Sequence, residues 1–184
     1  MFGAGGGTSS YQEVEETDLI LLWGSNARET HPIFFHHLLK GLHHGARLFA
    51  VDPRRTSSAQ WAEHWAALDV GSDIALANAM GREIIAAGLP HREFIANATE
   101  GFEAYRAAVE PCTLAWAERE TGVSAEMIRT MAHAYARAER AKGEKAVRSQ
   151  MEFIALSDDA AHTRRKKSRV RRFPIVELAP SPWK

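Results

Sequence analysis

The stretch from residue 18 to residue 56 reads DLILLWGSNARETHPIFFHHLLKGLHHGARLFAVDPRRT. Its first apolar run, at residues 19–23, has the continuous hydrophobic character of a strand buried on both faces. Residues 24–26 (Gly-Ser-Asn) then supply turn chemistry, and Pro32 suits a first helical turn because its missing N–H needs no partner there. A second apolar run follows at residues 48–51. We therefore predict one strand–helix–strand unit, with parallel strands and a right-handed crossover.

The rest of the chain extends this α/β pattern. The first helix should cover residues 32–43 and end before Gly45, with one apolar face made of Phe35, Leu38, Leu39 and Leu42. A third strand is predicted at residues 66–70, followed by a helix at residues 73–87. The apolar stripe of that helix should contain Ile74, Leu76, Ala77, Met80 and Ile84.

Residues 89–140 show helical patterns throughout, so we predict a helical second half. Four residues are suitable helix N-caps: Ser72, Asp73, Thr113 and Ser124. The fold class is accordingly α/β, a Rossmann-like parallel sheet flanked by helices.

Two tryptophans lie close together between the second and third predicted strands. Ser57 or Ser58 can cap a short helix that runs through Trp65, and Trp61 would share a face with Trp65 because they are four residues apart. We expect both rings to pack in the core. An aromatic wall for a ring-shaped ligand is the alternative.

Composition sets limits on the class of protein. The chain has 184 residues, of which 45% are hydrophobic and 25% charged, enough for one domain with a core. A single cysteine, Cys112, excludes an internal disulfide and a cysteine-ligated iron–sulfur cluster within this chain; we expect it to pack rather than react. No apolar run reaches the roughly 18 residues of a membrane span, and the start lacks secretory signal character. We predict a cytoplasmic protein.

The two ends of the chain differ from the middle. Residues 1–10, MFGAGGGTSS, predict a flexible start; a phosphate loop is weakly supported because no Gly-Lys-Ser/Thr follows. Residues 1–142 contain 13 basic and 18 acidic residues, whereas residues 143–184 contain 10 and 5. Seven of the nine residues 164–172 are basic, which predicts a disordered tail. A nucleic-acid patch and a tail left by a shifted reading frame are two interpretations of it.

A ligand of this fold would lie outside the carboxyl ends of the parallel strands, where the loops 24–31 and 52–56 meet. Ser25 and Asn26 offer groups that suit phosphate, and Asp52, at the end of the second strand, suits a ribose hydroxyl pair. No G-x-G-x-x-G follows Trp23. The residues alone leave two interpretations open, a nucleotide site and an α/β core with polar loops.

The helix at residues 32–43 and its end hold four histidines: His36, His37, His43 and His44. Zinc-binding helical histidines are spaced four apart, but these pairs are seven apart, and no carboxylate or cysteine completes a set. We do not predict a metal site there.

Three motifs in order, WGSNARETHP, VDPRRTSSAQWAEHW and LDVGSDIALANAMGREII, resemble the molybdopterin oxidoreductases. Within that family they are most similar to the catalytic subunit of molybdenum-dependent formate dehydrogenases. The resemblance covers residues 1–141 and implies part of an α/β domain that binds one guanosine arm of bis(molybdopterin guanine dinucleotide). Residues 142–184 would be a tail outside the family.

The resemblance also implies roles for individual residues. Ser25 and Asn26 would bind phosphate, Asp52 ribose, Arg54 phosphate or the base, and Asp73 the guanine edge, although Asp73 could be only a helix cap. The complete set expected at the cofactor is Gly24, Ser25, Asn26, Glu29, Thr30, Val51, Asp52, Arg54, Gly71 and Asp73.

The resemblance further implies that this chain is a fragment. The molybdenum ligand would precede Met1, and the cluster cysteines have no counterpart, so we expect no catalysis by the chain alone and no bound iron–sulfur cluster. Its partner would be the remaining portion of an oxidoreductase that converts formate to CO2, with no membrane partner. The alternatives are a stand-alone nucleotide-binding module and nucleic-acid binding through the basic tail.

Overall fold

The computed structural model describes residues 10–138. The chain begins there with a 3-10 helix, and a second 3-10 helix precedes the third strand. In chain order the elements are the 3-10 helix Tyr11–Glu16, β1 (Leu19–Trp23), α1 (Ala27–Thr30), α2 (Pro32–His43), β2 (Arg47–Val51), the 3-10 helix Ala59–Trp61, β3 (His64–Ala66), α3 (Asp73–Ala86), α4 (Arg92–Ala98), α5 (Phe102–Val109), α6 (Leu114–Thr121) and α7 (Ala125–Arg137).

The three strands form one parallel sheet in the order β1-β2-β3. Leu19 lies opposite Arg47 and Trp23 opposite Val51, so both strands of the first pair end at the same edge. The parallel strand–helix–strand unit is therefore confirmed, with β1, β2 and α2 at the predicted positions.

Both faces of β1 are buried, as its continuous apolar run predicted. Ile20 and Leu22 pack with Phe34, Phe35 and Leu38 of α2. Leu19 and Leu21 face the other side, where the core includes side chains of α3, α6 and α7. Helices therefore cover both faces of the sheet. Each large apolar side chain buried this way contributes about 1.5–3 kcal/mol, so β1 is held from two directions.

The third strand differs from the prediction. It covers His64–Ala66 rather than residues 66–70, because beyond Ala66 the main chain leaves β2. The N–H of Asp69 donates to the carbonyl of Thr121 at 2.8 Å, and Val70 is 80% exposed. These two residues therefore belong to a loop that meets α6.

The predicted helix through Trp65 is also wrong. Only Ala59–Trp61 is helical, and Trp65 lies in β3. The two indoles do not share a helical face: Trp61 is 51% exposed, whereas the Nε1–H of Trp65 donates to the carbonyl of Asp52 at 2.8 Å. The core role predicted for Trp61 is wrong, because its ring lies at the surface.

α3 begins at the predicted residue and ends one residue early, but its buried face is rotated. Ile74 is 70% exposed, and the buried residues are Ala75, Leu76, Ala79 and Met80. Two alanines on this face let α3 lie close to α6 and α7, and a face centred on them turns Ile74 outward.

The predicted caps Thr113 and Ser124 are confirmed, whereas Ser72 does not cap its helix. The hydroxyls of Thr113 and Ser124 accept from the N–H groups of Trp116 and Met127. Ser72 occupies the N-cap position of α3, but its hydroxyl donates to the carbonyl of Asp69 at 2.6 Å and does not cap the helix.

The 3-10 helix before β1 lies against α2. The Glu15 carboxylate accepts from Lys40 Nζ at 3.0 Å and pairs with His37 Nδ1 at 2.5 Å. Gly41 marks the closest approach, since a Cβ there would lie 2.6 Å from the carbonyl oxygen of Val14. The segment that leads into β1 is therefore a 3-10 helix docked on α2.

Two predictions fall on residues outside the described range, the glycine-rich start and the basic tail. Among residues 10–138, no helix is both long and apolar enough to cross a membrane.

Candidate functional site

The carboxyl edge of the sheet brings three loops together. The N–H of Gly24, with φ of 59°, donates to the carbonyl of Val51 at 2.8 Å, so the loop after β1 starts beside the end of β2. The Nε1–H of Trp23 donates to Asp73 Oδ1 at 2.7 Å, which places the start of α3 at the end of β1. Ser25, Asp52 and Asp73 therefore lie along one edge of the sheet, as predicted; we call this edge the carboxyl rim.

Ser25 is buried with an unused hydroxyl. Its side chain lies two residues beyond β1 and the residue is only 5% exposed, yet within residues 10–138 it has no hydrogen-bond partner. Buried hydroxyl groups in proteins are nearly always hydrogen-bonded, because leaving one unpaired costs about 1–3 kcal/mol. The position therefore suits a ligand oxygen.

Asp52 combines burial with spare acceptor capacity. The residue is 6% exposed, and its Oδ1 accepts from the N–H of Arg54 at 2.8 Å. The Arg54 guanidinium is 81% exposed, with Nε 4.0 Å from Oδ1, so this ion pair is weak. Within residues 10–138, Oδ2 makes no hydrogen bond or ion pair. A buried carboxylate with one free oxygen can accept hydrogen bonds from hydroxyl groups.

The loops after β1 and β2 are joined by hydrogen bonds. Asn26 Oδ1 accepts from Ser57 Oγ at 2.9 Å and from Ser58 Oγ at 3.0 Å. Ser58, which is 0% exposed, also accepts from the N–H of Arg28 at 2.9 Å. The sequence predicted Ser57 and Ser58 only as helix caps. Their role here depends on contacts over about 30 residues, which no local pattern reveals.

The remaining predicted site residues differ in accessibility. Glu29 and Thr30 are exposed, and their side chains bond to Ser57 and to the carbonyl of Asn26. Val51 is fully buried, so only its main chain reaches the rim. Gly71, with φ of 91°, leaves open space beside the loop before α3.

Asp73 is exposed at the start of α3. One of its oxygens already accepts from Trp23, and each carboxylate oxygen has two lone pairs. The group can therefore still accept two N–H groups from one edge of a base.

Among the described residues, the titratable groups show no arrangement for metal binding. Within residues 10–138, no group of three or more His, Cys, Asp or Glu residues could hold a metal ion. Burial raises the pKa of the Cys112 thiol, which keeps it protonated near neutral pH, where a thiol is a poor nucleophile.

A cavity of about 640 Å³ lies at the opposite end of the sheet. It is lined by the amino ends of β1 and β2 and by the last turns of α7: Asp18, Leu19, Arg47, Arg129, Thr130, His133, Ala134, Arg137 and Ala138. The ion pairs nearby are Arg47 with Glu63, and Arg129 and His133 with Glu83. None of the predicted cofactor residues lines it.

Comparison with known proteins identifies the class. The family model described as "Molybdopterin oxidoreductase" matches residues 3–164, and the chain belongs to this family. That match extends past Ala141, the residue at which the resemblance was expected to end.

The chain is 42% identical to formate dehydrogenase H of Escherichia coli over 139 residues, covering 76% of this chain and 19% of that protein. It is 38% identical to the F420-dependent formate dehydrogenase subunit alpha of Methanocaldococcus jannaschii, covering 76% of this chain and 21% of that protein. Acetylene hydratase from Pelobacter acetylenicus is a structural relative, with a TM-score of 0.61 and 29% identity over 70% of this chain and 20% of that one. The chain thus spans about a fifth of the length of these relatives.

Membership of the family implies a molybdopterin cofactor with molybdenum. The carboxyl rim fits a large polar group of this kind. The buried hydroxyl of Ser25 and the free oxygen of Asp52 are sites for hydrogen bonds, and open space lies beside Gly24 and Gly71.

Proposed function

We propose that this chain is the Rossmann-like, nucleotide-binding part of a molybdenum oxidoreductase resembling formate dehydrogenase. Its carboxyl rim would bind one guanosine arm of bis(molybdopterin guanine dinucleotide). One observation supports this most. Ser25 and Asp52 lie at the same edge of the sheet, and both are buried polar side chains with unused hydrogen-bonding capacity.

Each rim residue has a proposed task. Ser25 and Asn26 donate to phosphate oxygens, and Asp52 accepts from the ribose hydroxyls. The exposed Arg54 pairs with phosphate or stacks on the base, and Asp73 accepts the N–H groups of guanine. When bound in the complete enzyme, the cofactor would supply the molybdenum centre for the oxidation of formate.

The names of the relatives support cofactor binding more directly than any one substrate. They include formate dehydrogenases, a nitrate reductase of Synechocystis and an acetylene hydratase, so similar segments occur in enzymes that act on different molecules. Formate is the proposed substrate because relatives that are 42% and 38% identical to this chain are formate dehydrogenases. We expect no formate oxidation by this chain alone, since the metal ligand and the cluster cysteines of the family have no counterpart in its sequence.

The remaining portion of the oxidoreductase is the proposed partner, and the outer edge of β1 is where it would pair. The main-chain groups of Asp18 and Gly24 bond to β2, so by alternation those of Leu21 point to the opposite edge. Leu21 is only 8% exposed, and within residues 10–138 no strand pairs with that edge. A further strand there would satisfy these groups. Slow hydrogen exchange of the Leu21 amide only in the presence of the partner would support this pairing.

Calorimetric titration of the chain with guanosine diphosphate (GDP) tests the site. We expect wild-type binding, and weaker binding by Ser25→Ala because one hydrogen bond to phosphate is lost. Thr99→Ala is the matched control, since the Thr99 hydroxyl bonds within its own helix turn to the carbonyl of Ile95. Equal affinities of both variants would remove Ser25 from the site.

Salt dependence separates this proposal from nucleic-acid binding through the basic tail. Contacts to several phosphates lose affinity steeply as salt rises, whereas a pocket with few charges is less sensitive. Cytoplasmic location is a further proposal, which cell fractionation can test.

A further inference from the structure

Ser58 links the loop after β2, to which it belongs, to the loop after β1 at the carboxyl rim. The residue is completely buried, and both functions of its hydroxyl are in use. It accepts from the N–H of Arg28 at 2.9 Å and donates to Asn26 Oδ1 at 3.0 Å, across 30 and 32 residues of sequence. Ser58 thereby caps the first turn of α1, a task that the side chain of Asn26 does not perform.

These bonds determine which end of the Asn26 carboxamide is free. The N–H of Ser58 lies 3.3 Å from Asn26 Oδ1, and a main-chain N–H can only donate, so the atom facing it must be the oxygen. With Ser57 Oγ and Ser58 Oγ, three donors converge on this one oxygen. Its acceptor capacity is used. The amide nitrogen, with two N–H donors, has no hydrogen-bond acceptor among residues 10–138.

We infer that Ser58 is a positioning residue of the nucleotide site, acting through Asn26, which it holds with its amide nitrogen available to a phosphate group. The inference rests on the proposed function. It changes the expected role of Asn26 from a general polar contact to that of an N–H donor fixed before the ligand arrives. Fixing a donor in advance favours binding, because less ordering is needed when the complex forms.

Ser57 provides a matched control. Its hydroxyl also donates to Asn26 Oδ1, but the residue is partly exposed. Its single hydroxyl proton is shared between that oxygen and Glu29 Oε1 at 3.1 Å. In Ser57→Ala the two bonds from Ser58 remain, and water can reach the vacated place. In Ser58→Ala the N–H of Arg28 loses its acceptor, and Asn26 keeps only Ser57 and the N–H of residue 58.

The test compares GDP with guanosine, which lacks the phosphates, by calorimetry on the complete chain. We expect Ser58→Ala to bind GDP about tenfold more weakly, the equivalent of one hydrogen bond to a charged group, and to bind guanosine as the wild type does. Ser57→Ala should bind both compounds as the wild type does. Unchanged GDP affinity of Ser58→Ala, or an equal loss for both compounds, would overturn the inference.

Two further measurements separate this inference from the proposed function and from misfolding. Side-chain amide resonances of Asn26 in 15N spectra should shift more in Ser58→Ala than in Ser57→Ala, where water can replace the lost donor. A shift in Ser58→Ala no larger than that in Ser57→Ala overturns the positioning role, even in a chain that binds no nucleotide. A wild-type chain that binds neither compound overturns the proposed function. Should Ser58→Ala not fold, Asn26→Asp keeps the acceptor for all three donors, and it should lose GDP binding while retaining guanosine.

Discussion

Polar side chains at the two ends of the parallel sheet differ in burial and in hydrogen bonding. At the carboxyl rim, Ser25, Asp52 and Ser58 are buried, and two of the three keep unused hydrogen-bonding capacity. At the amino end, Arg47 and Glu63 form an ion pair whose side chains are each almost half exposed, beside the 640 Å³ cavity. Burying an unpaired polar group is costly, whereas a surface ion pair costs and contributes little. The unused hydrogen-bonding capacity at the rim is therefore the reason we propose the ligand there and not in the cavity.

Replacing the buried acid of the rim should have the largest effect. Asp52→Asn keeps an oxygen for the N–H of Arg54 and so should fold, but it removes the charge that we propose accepts from the ribose hydroxyls. Hydrogen bonds to charged groups contribute about 1.5–3 kcal/mol, so GDP affinity should fall by roughly 10- to 150-fold in calorimetry. Glu63→Gln, at the other end, should bind like the wild type. A similar loss in both variants would end the distinction between the two ends.

Asp73 should determine which base the rim prefers. Inosine diphosphate lacks the exocyclic amino group of guanine, so the wild type should prefer GDP, by about tenfold for one charge-assisted hydrogen bond. Asp73→Asn can still accept from the indole of Trp23, but it cannot accept two N–H groups equally well. Competition titrations should show the preference disappearing. An unchanged preference would leave Asp73 as a structural link between β1 and α3.

The ion pair at the amino end should prove weak. A double-mutant cycle with Arg47→Ala and Glu63→Ala, measured by urea unfolding, should give a coupling of about 0.2–1 kcal/mol. The Arg47–Glu63 contacts of 2.8 and 2.9 Å are exposed, so about 1 M salt should reduce this value. A coupling of several kcal/mol that resists salt would show that this end is as well organised as the rim.

The smallest expected effect is on pH dependence. The hydrogen bond from Arg47 lowers the pKa of Glu63 below its usual 4.5 in the folded chain. The unfolded state therefore takes up a proton first as pH falls, so this contribution to stability is present above about pH 4.5 and is lost as pH drops through the folded pKa. Unfolding of Glu63→Gln at about pH 7 and about pH 3 should show a slightly smaller difference than the wild type. An identical difference would mean that the pair does not form in solution.

The elements that could be predicted from sequence are those with strong local signals. β1 and β2 are continuous apolar runs, and α2 begins at Pro32 and ends just before Gly45, so their bounds matched the structure. β3 could not be placed, because its three residues show no alternation and its pairing depends on β2. Leu68 seemed to continue the strand, but it is buried in the core that includes side chains of α6 and α7.

The candidate site was predictable to the same extent. Asp52 and Ser25 follow strands, and parallel strands end at the same edge, so their proximity follows from the sequence pattern. The role of Ser58 could not be predicted in this way, because it depends on a hydrogen bond to Asn26, a residue 32 positions earlier in the chain. The link between Trp23 and Asp73 spans 50 positions and was hidden for the same reason.

The absence of a side chain at Gly41 has a structural consequence for the segment that precedes β1. Glycine in a helix interior is less favourable than alanine by about 1 kcal/mol, yet any Cβ at this place in α2 would lie 2.6 Å from the carbonyl oxygen of Val14. That oxygen belongs to main chain and has no rotamer by which to move aside. The main chain can therefore take this route into β1 only because residue 41 has no methyl group. A library randomised at this codon and selected for folding should return glycine, at a position remote from every proposed ligand contact.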